Sequence, residues 1–221
     1  MRAPIALAAT CVTVSAVLLL TACGGDSKND GDKITDVSTG KAPSSAPAPT
    51  TTSASPSASG VARPTITLPA DVKDVFEGGT TGDAVKDAIL ADNQGFVMAV
   101  DDGFVKGSGT TDALVFYSTG KGLTNSISYI NDAAKQGFTR TGTIRYFDRK
   151  VAILPNGHAS VIYCSDESQA FLKHRSSGKV DRNAPSAQSY VLYNTNLVKN
   201  AQGVWQTNNI TSQRGAKQCQ P

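Results

Sequence analysis

The chain has 221 residues, of which 21 are Lys or Arg and 18 are Asp or Glu, so its formal net charge is +3. A charge this close to balance gives no reason to expect nucleic acid or any other strongly anionic partner. The C-terminal part, residues 68–221, has the length of one domain with a core of its own.

The N-terminal residues have the features of an export signal. Arg2 supplies a positive charge, an apolar run extends over 5–20, and small residues precede Cys23. We therefore predict that 1–22 is a signal peptide. The run 5–20 is shorter than the roughly 20 apolar residues that a transmembrane helix needs. The stretch Leu20-Thr21-Ala22-Cys23 resembles the lipobox of bacterial lipoproteins, which implies acylation of Cys23 and an extracytoplasmic location, lipid-anchored to the outer face of the cell membrane. The alternative is an ordinary cysteine that follows a signal peptide.

The next segment is dominated by Ser, Thr, Ala, Pro and Gly and shows no apolar period. Such a composition cannot bury enough apolar surface to offset the entropy of ordering. We predict that residues 23–67 form a disordered tether, which begins at the lipidated cysteine and holds the domain at 68–221 clear of the membrane surface.

Apolar residues at helical spacing predict helices in the first half of the domain. A short helix is predicted over 69–76, with Pro69 near its start, where the missing N–H costs little. A short turn is predicted at 112–117. A further helix is predicted over 121–136, with Gly137 as its C-terminal stop.

The best-supported helix lies between these segments. Thr81 or Asp83 can cap it, and Gly95 predicts a bend or break near its middle. Its apolar residues recur at spacings of three, four and seven, which places them on one face; they are Val85, Ile89, Phe96, Val97, Val100 and Phe104.

After Gly137 the apolar pattern changes from helical to alternating. The hairpin signal Pro155-Asn156-Gly157 can supply the positive φ angles of a tight turn. Helices first and an antiparallel meander after them predict an α+β domain with N-terminal helices packed on a curved antiparallel sheet. The predicted strands are rich in Val, Ile, Tyr, Phe and Thr and cover 141–147, 151–154, 159–165, 170–175, 188–198 and 204–212.

The cysteine count changes if the signal is removed. Cys11 leaves with the signal and Cys23 takes the lipid, so Cys164 and Cys219 remain. In an oxidising compartment the simplest interpretation is a disulfide, and two separate buried thiols are the alternative. The only histidines, His158 and His174, show no paired-ligand spacing with the cysteines, so we predict no metal site and no cofactor.

The order of helices and strands resembles the nuclear transport factor 2-like, or cystatin-like, cone fold, and more narrowly a group of small actinobacterial lipoproteins with that fold. The residues that carry this resemblance are 161–168, 177–180, Trp205 and 212–219. In that group a strand ends in a cysteine followed by an acidic turn, and the last strand carries a tryptophan and then a terminal cysteine. The resemblance implies a Cys164–Cys219 bridge and a possible homodimer through the exposed sheet.

No catalytic signature is found. The spacing Ser-x-x-Lys occurs at 118–121 and 176–179, but its partner motifs are absent and turn chemistry explains both. The acidic pairs Asp101-Asp102 and Asp166-Glu167 fit calcium ligands less well than solvated turns. The wider cone fold includes isomerases, cyclases and dehydratases, but none of their catalytic residues matches a position here, so the catalytic residues are unknown.

Aromatic residues are the candidate lining of a pocket inside the cone, and packing of the core is the interpretation that we favour for them. We predict a lipid-anchored extracytoplasmic binding or interaction module of the cell envelope, which is not an enzyme and which binds an envelope protein or a small apolar ligand. The alternative is a small cone-fold enzyme with an acid or tyrosine in the pocket. The candidate lining residues are Phe96, Tyr117, Tyr129, Tyr146, Tyr193 and Trp205.

Overall fold

The computed structural model describes residues 60–221, which form helices packed against one mixed sheet. Cys23 and the predicted signal peptide lie outside the described residues. Two short 3₁₀ turns lie at 187–189 and 217–219, in addition to the helices and strands. In chain order the elements are β1 (Val72–Phe76), α1 (Ala84–Lys106), α2 (Asp112–Tyr117), α3 (Gly120–Lys135), β2 (Phe138–Ile153), β3 (Ala159–His174), β4 (Val180–Asp181), β5 (Tyr190–Lys199) and β6 (Trp205–Arg214).

The strands form a curved sheet that does not close, in the order β1-β2-β3-β5-β6, with the short β4 beside β3. The pairs β2–β3, β3–β5 and β5–β6 are antiparallel, whereas β1 runs parallel to β2. The helices pack on the concave face. The predicted α+β class, with helices on a curved antiparallel sheet, is therefore confirmed.

The first element corrects a prediction. Residues 69–76 were expected to form a helix, but Val72–Phe76 is a strand that pairs with β2 from Gly142 to Tyr146. One of its inward-facing positions is the charged residue Asp74. The sequence therefore lacks the apolar–polar alternation that marks a half-buried strand. The charge is accommodated by Arg140 on the neighbouring strand, 66 residues further along the chain.

Helix α1 begins where the sequence predicts. The side chain of Asp83 accepts hydrogen bonds from the backbone N–H groups of Val85 and Lys86, so Asp83 is the N-cap. The predicted bend at Gly95 is absent. The helix stays continuous, and Gly95 serves instead as a contact point, since a Cβ there would lie 2.5 Å from the ring of Tyr117.

Two pairs of predicted strands are in fact single long strands. The segments 141–147 and 151–154 join as β2, which contains a register shift between Phe147 and Lys150, where Asp148 has φ = 50°. The segments 159–165 and 170–175 join as β3. The acidic stretch expected as a turn after Cys164 is therefore part of a strand. The predicted hairpin turn is present, with Gly157 at φ = 76°.

The core lies between the three helices and the sheet and includes Ile89, Leu114, Ile130, Val161 and Leu197, all fully buried. Some residues just before β1, which we assigned to the tether, contribute to this core: Val61 and Ile66 pack against it. No helix within residues 60–221 is both long and apolar enough to cross a membrane.

A disulfide joins Cys164 on β3 to Cys219 in the C-terminal 3₁₀ turn, as predicted. Both cysteines are buried, and Phe147, Tyr190 and Leu192 pack around them on the side of the sheet away from the main core. The bond fixes the C-terminal end of the chain to the middle of the sheet.

Candidate functional site

A cavity of about 550 Å³ lies between the helices and the concave face of the sheet. Phe96, Val100 and Phe104 of α1 form one wall, and Tyr129 of α3 stands at another. These side chains reach the cavity because α1 and α3 both present apolar faces to the sheet. The volume falls within the usual range for small-molecule sites, roughly 300–1,000 Å³.

Four aromatic rings from four strands form a continuous row, which we call the aromatic row: Phe76, Tyr146, Tyr163 and Tyr193. Phe76 stacks on Tyr146 with ring centroids 4.8 Å apart. Tyr146 meets Tyr163 edge-on at 6.1 Å, and Tyr163 stacks on Tyr193 at 5.1 Å. The three tyrosines line the cavity. The row therefore gives the cavity an aromatic, amphipathic floor.

A polar cluster of Asp74, Asp101, Arg140 and Tyr146 lies at one end of the floor. The guanidinium Nη2 of Arg140 is 2.5 Å from Oδ1 of Asp74 and 3.3 Å from Oδ2 of Asp101. The Tyr146 hydroxyl donates to Oδ2 of Asp101 across 3.3 Å. The side chains of Asp74 and Arg140 are only 2% and 8% exposed. One buried guanidinium is thus shared between two carboxyl groups.

Burial raises the pKa of Asp101 well above its ordinary value of 3.8. The neighbouring Arg140 lowers this pKa, but the nearby Asp74 carboxyl raises it again. The closer ion pair is that of Arg140 with Asp74, and burial disfavours the charged form of the Asp101 carboxyl beside it. Burial also raises the pKa of Tyr146, Tyr163 and Tyr193, so the three phenols remain protonated.

A second polar cluster lies at the other end of the floor. The Tyr193 hydroxyl donates to Oε1 of Glu167 at 3.2 Å, and Ser165 donates to the same oxygen at 3.1 Å. Arg214 pairs with Oε2 of Glu167 at 2.8 Å, and about half of the Arg214 side chain is exposed. This cluster is therefore closer to solvent than the one around Arg140.

The structure brings together some of the predicted lining residues and not others. Phe96, Tyr129, Tyr146 and Tyr193 line the cavity. Tyr117 and Trp205 do not line it, and both pack elsewhere in the core. Tyr117 packs against Gly95 on α1, and Trp205 begins β6, where the ammonium of Lys199 lies 5.7 Å from its ring centre.

The sequence analysis did not assign any charged residue to the cavity. Asp101 was considered only as a member of a solvated turn or calcium loop, but it lies on α1 and faces the cavity, while its neighbour Asp102 pairs with Lys106. Glu167 was considered only as a member of an acidic turn, and Arg140 lies between two threonines on β2, so no local pattern marks it as a cavity residue. Among residues 60–221 no three side chains are grouped as metal ligands would be.

No protein-family model matches the chain, and none of the curated proteins matches its sequence. Among solved structures it is similar to a ketosteroid isomerase-like protein from Erwinia carotovora atroseptica SCRI1043, at 15% identity and TM-score 0.40, over 57% of this chain and 93% of that one. It is also similar to a domain of unknown function with a cystatin-like fold from Nostoc punctiforme PCC 73102, at 17% identity and TM-score 0.36, over 61% of this chain and 79% of that one. Both scores are low, so we base no statement about activity, ligand or partner on them.

Proposed function

We propose that this chain is a lipid-anchored extracytoplasmic binding module of the bacterial cell envelope, of the kind found in actinobacteria. Its cavity takes up a small, partly apolar ligand without changing it chemically. The observation that carries this proposal is the open cavity itself, about 550 Å³ in volume, with an aromatic floor and polar groups at both ends. Apolar and aromatic walls with a few fixed polar groups are the usual composition of a small-molecule site.

The location in the envelope is supported by the sequence. Arg2, the apolar run 5–20 and the stretch ending in Cys23 have the order of a lipoprotein signal. Stable anchoring by acyl chains generally needs more than one of them. Expression of the full chain in a bacterial host should therefore give a membrane-bound protein whose N-terminal residue is an acylated Cys23. A soluble product of unmodified mass would contradict the anchor.

A second candidate function is favoured by one observation. A buried carboxylic acid with a raised pKa, in contact with a tyrosine and facing a cavity, is also suited to donate a proton to a bound substrate. In that case Asp101 would act as the general acid, with Tyr146 as its hydrogen-bonding partner. The two functions differ in one measurable result, because a binding module returns its ligand unchanged.

The ligand-binding proposal is tested with 1-N-phenylnaphthylamine, a neutral apolar probe whose fluorescence rises in apolar sites. Ala170 lines the cavity, and Ala170→Phe would fill part of it. The matched control is Ala201→Phe, because Ala201 is exposed in the β5–β6 turn. We expect the full chain and Ala201→Phe to bind the probe and Ala170→Phe to bind at least tenfold more weakly. Equal binding by all three would refute a ligand site in the cavity.

A further inference from the structure

The guanidinium of Arg140 has donors that the protein does not use. Arg140 lines the cavity, and its side chain is 8% exposed. Both carboxyl contacts are made by Nη2, whereas Nε and Nη1 make no hydrogen bond to any residue of 60–221. A buried charged donor without a partner is costly. These two buried N–H-bearing nitrogens therefore lack an acceptor within the protein, on a side chain that lines the cavity.

The charge of Arg140 is already balanced. Asp74 lies 2.5 Å from Nη2 and its side chain is 2% exposed, so it forms a buried ion pair with Arg140. Asp101 also lies beside Nη2, at 3.3 Å, so the two carboxyl groups leave no uncompensated positive charge on Arg140. The site thus offers hydrogen-bond donors of a cation without a net positive charge.

We infer that the ligand presents an uncharged oxygen acceptor, of the ketone, ester or amide class, to Nε and Nη1 of Arg140, and that Asp74 makes the cavity select such ligands over carboxylates. This inference rests on the ligand-binding function proposed above. A neutral carbonyl oxygen gains a charge-assisted hydrogen bond from a guanidinium that is otherwise unpartnered. A ligand carboxylate would be a further buried anion beside one cation that Asp74 already neutralises.

Three naphthalenes of nearly equal size test this selection: 2-acetylnaphthalene, which has a carbonyl acceptor, 2-naphthoate, which is an anion, and 2-ethylnaphthalene, which has no acceptor. Each is titrated against the full chain in detergent with 1-N-phenylnaphthylamine bound, and Ala170→Phe provides the background of the micelle. Each compound is compared between wild type and variant in the same detergent, so its partition into micelles cancels.

The decisive variant is Asp74→Asn in an Asp101→Asn background, which keeps the shape of both side chains and releases the positive charge of Arg140. The second change is needed because Asp101, whose pKa Asp74 raises, would otherwise replace Asp74 as the counter-ion. We expect 2-naphthoate to bind this variant about tenfold more tightly than wild type. The binding of 2-acetylnaphthalene should change by less than about threefold, and that of 2-ethylnaphthalene should not change. An unaltered affinity for 2-naphthoate in this variant, when it is folded, would overturn the role of Asp74.

A second variant covers the case in which Asp74→Asn with Asp101→Asn fails to fold. The double variant Asp74→Leu with Arg140→Met replaces the buried ion pair by apolar residues of similar volume, an exchange that folded proteins often tolerate. It should bind 2-acetylnaphthalene about tenfold more weakly than wild type and 2-ethylnaphthalene at least as tightly. If the ketone binds both proteins equally, Arg140 is not its donor and the inference is wrong.

The two proposals fail in different ways. Displacement of the probe without the selectivity described here overturns the roles of Arg140 and Asp74 and leaves a ligand site in place. If wild type and Ala170→Phe give the same probe fluorescence, the ligand-binding function fails and the inference fails with it.

Discussion

Removal of the disulfide should cost this domain a large part of its stability. Cys164 and Cys219 are 55 residues apart in sequence. In the chain-entropy model, closing a loop of that length in the unfolded chain stabilises the folded state by about 4 kcal/mol. Replacing both cysteines by Ala should lower the free energy of unfolding by that amount. For a domain of this size the melting temperature would fall by about 8 to 16 °C. Ala is chosen over Ser because both positions are buried in an apolar cluster.

Urea denaturation of the full chain measures this effect through Trp205, the only tryptophan, which is 5% exposed in the folded protein. Wild type treated with a thiol reductant should lose the same stability as the double variant, and the double variant should not respond to the reductant. A loss below about 1 kcal/mol in both experiments would show that the bond does not restrict the unfolded chain in the assumed way.

Three further predictions concern other parts of the domain. Gly122→Ala should lower the free energy of unfolding by about 1–3 kcal/mol, measured by urea denaturation, because the new Cβ would lie 2.4 Å from the backbone oxygen of Thr207. The control Gly79→Ala should leave stability unchanged, because no atom lies within 4 Å of the new Cβ. The pKa of Asp101 is raised in the folded state, so protonated Asp101 contributes to the free energy of unfolding. This contribution is complete below the pKa of Asp101 in the unfolded chain, near 3.8, and is lost as the pH rises through its pKa in the folded protein. The difference in unfolding free energy between wild type and Asp101→Asn should therefore decrease with rising pH, and a constant difference would contradict the raised pKa. Arg63→Ala should lower stability by about 2 kcal/mol, since it removes two hydrogen bonds to the fully buried Asp92; an unchanged urea midpoint would refute this.

Local sequence patterns were sufficient for the helices. The cap at Asp83 and the apolar spacing that follows it depend only on residues within a few turns, so α1 could be located before the structure was known. Gly137 likewise ends the helical region, at φ = 78°. The cap and the apolar spacing of α1 were therefore predictable from near neighbours in sequence, whereas the bend expected at Gly95 is absent.

Distant partners account for the errors. β1 was predicted as a helix because its inward-facing charge, Asp74, finds its counter-ion on β2, far along the chain. Tyr117 was predicted to line the pocket, but the missing side chain of Gly95 allows its ring to pack against α1 instead. Neither contact leaves a trace in the local sequence.

The candidate site was only half predictable for the same reason. Aromatic residues could be proposed as a lining from their type alone, and Phe96, Tyr129, Tyr146 and Tyr193 are indeed at the cavity. The Arg140 cluster draws one residue each from β1 and α1 and two from β2, and its charges make sense only once they are buried together. Its chemistry therefore becomes visible only in the folded protein.

The Arg63–Asp92 pair also has a mechanical consequence. Oδ1 of Asp92 receives Arg63, and Oδ2 accepts the backbone N–H of Trp205 at 2.9 Å, so one carboxylate fastens the segment before β1 to both α1 and β6. Tension applied to the chain from its N-terminal side therefore meets this contact, together with the packing of Val61 and Ile66 on the core, before it reaches β1. We expect part of the force to pass into α1 and β6, which protects the register of the strand that carries Asp74.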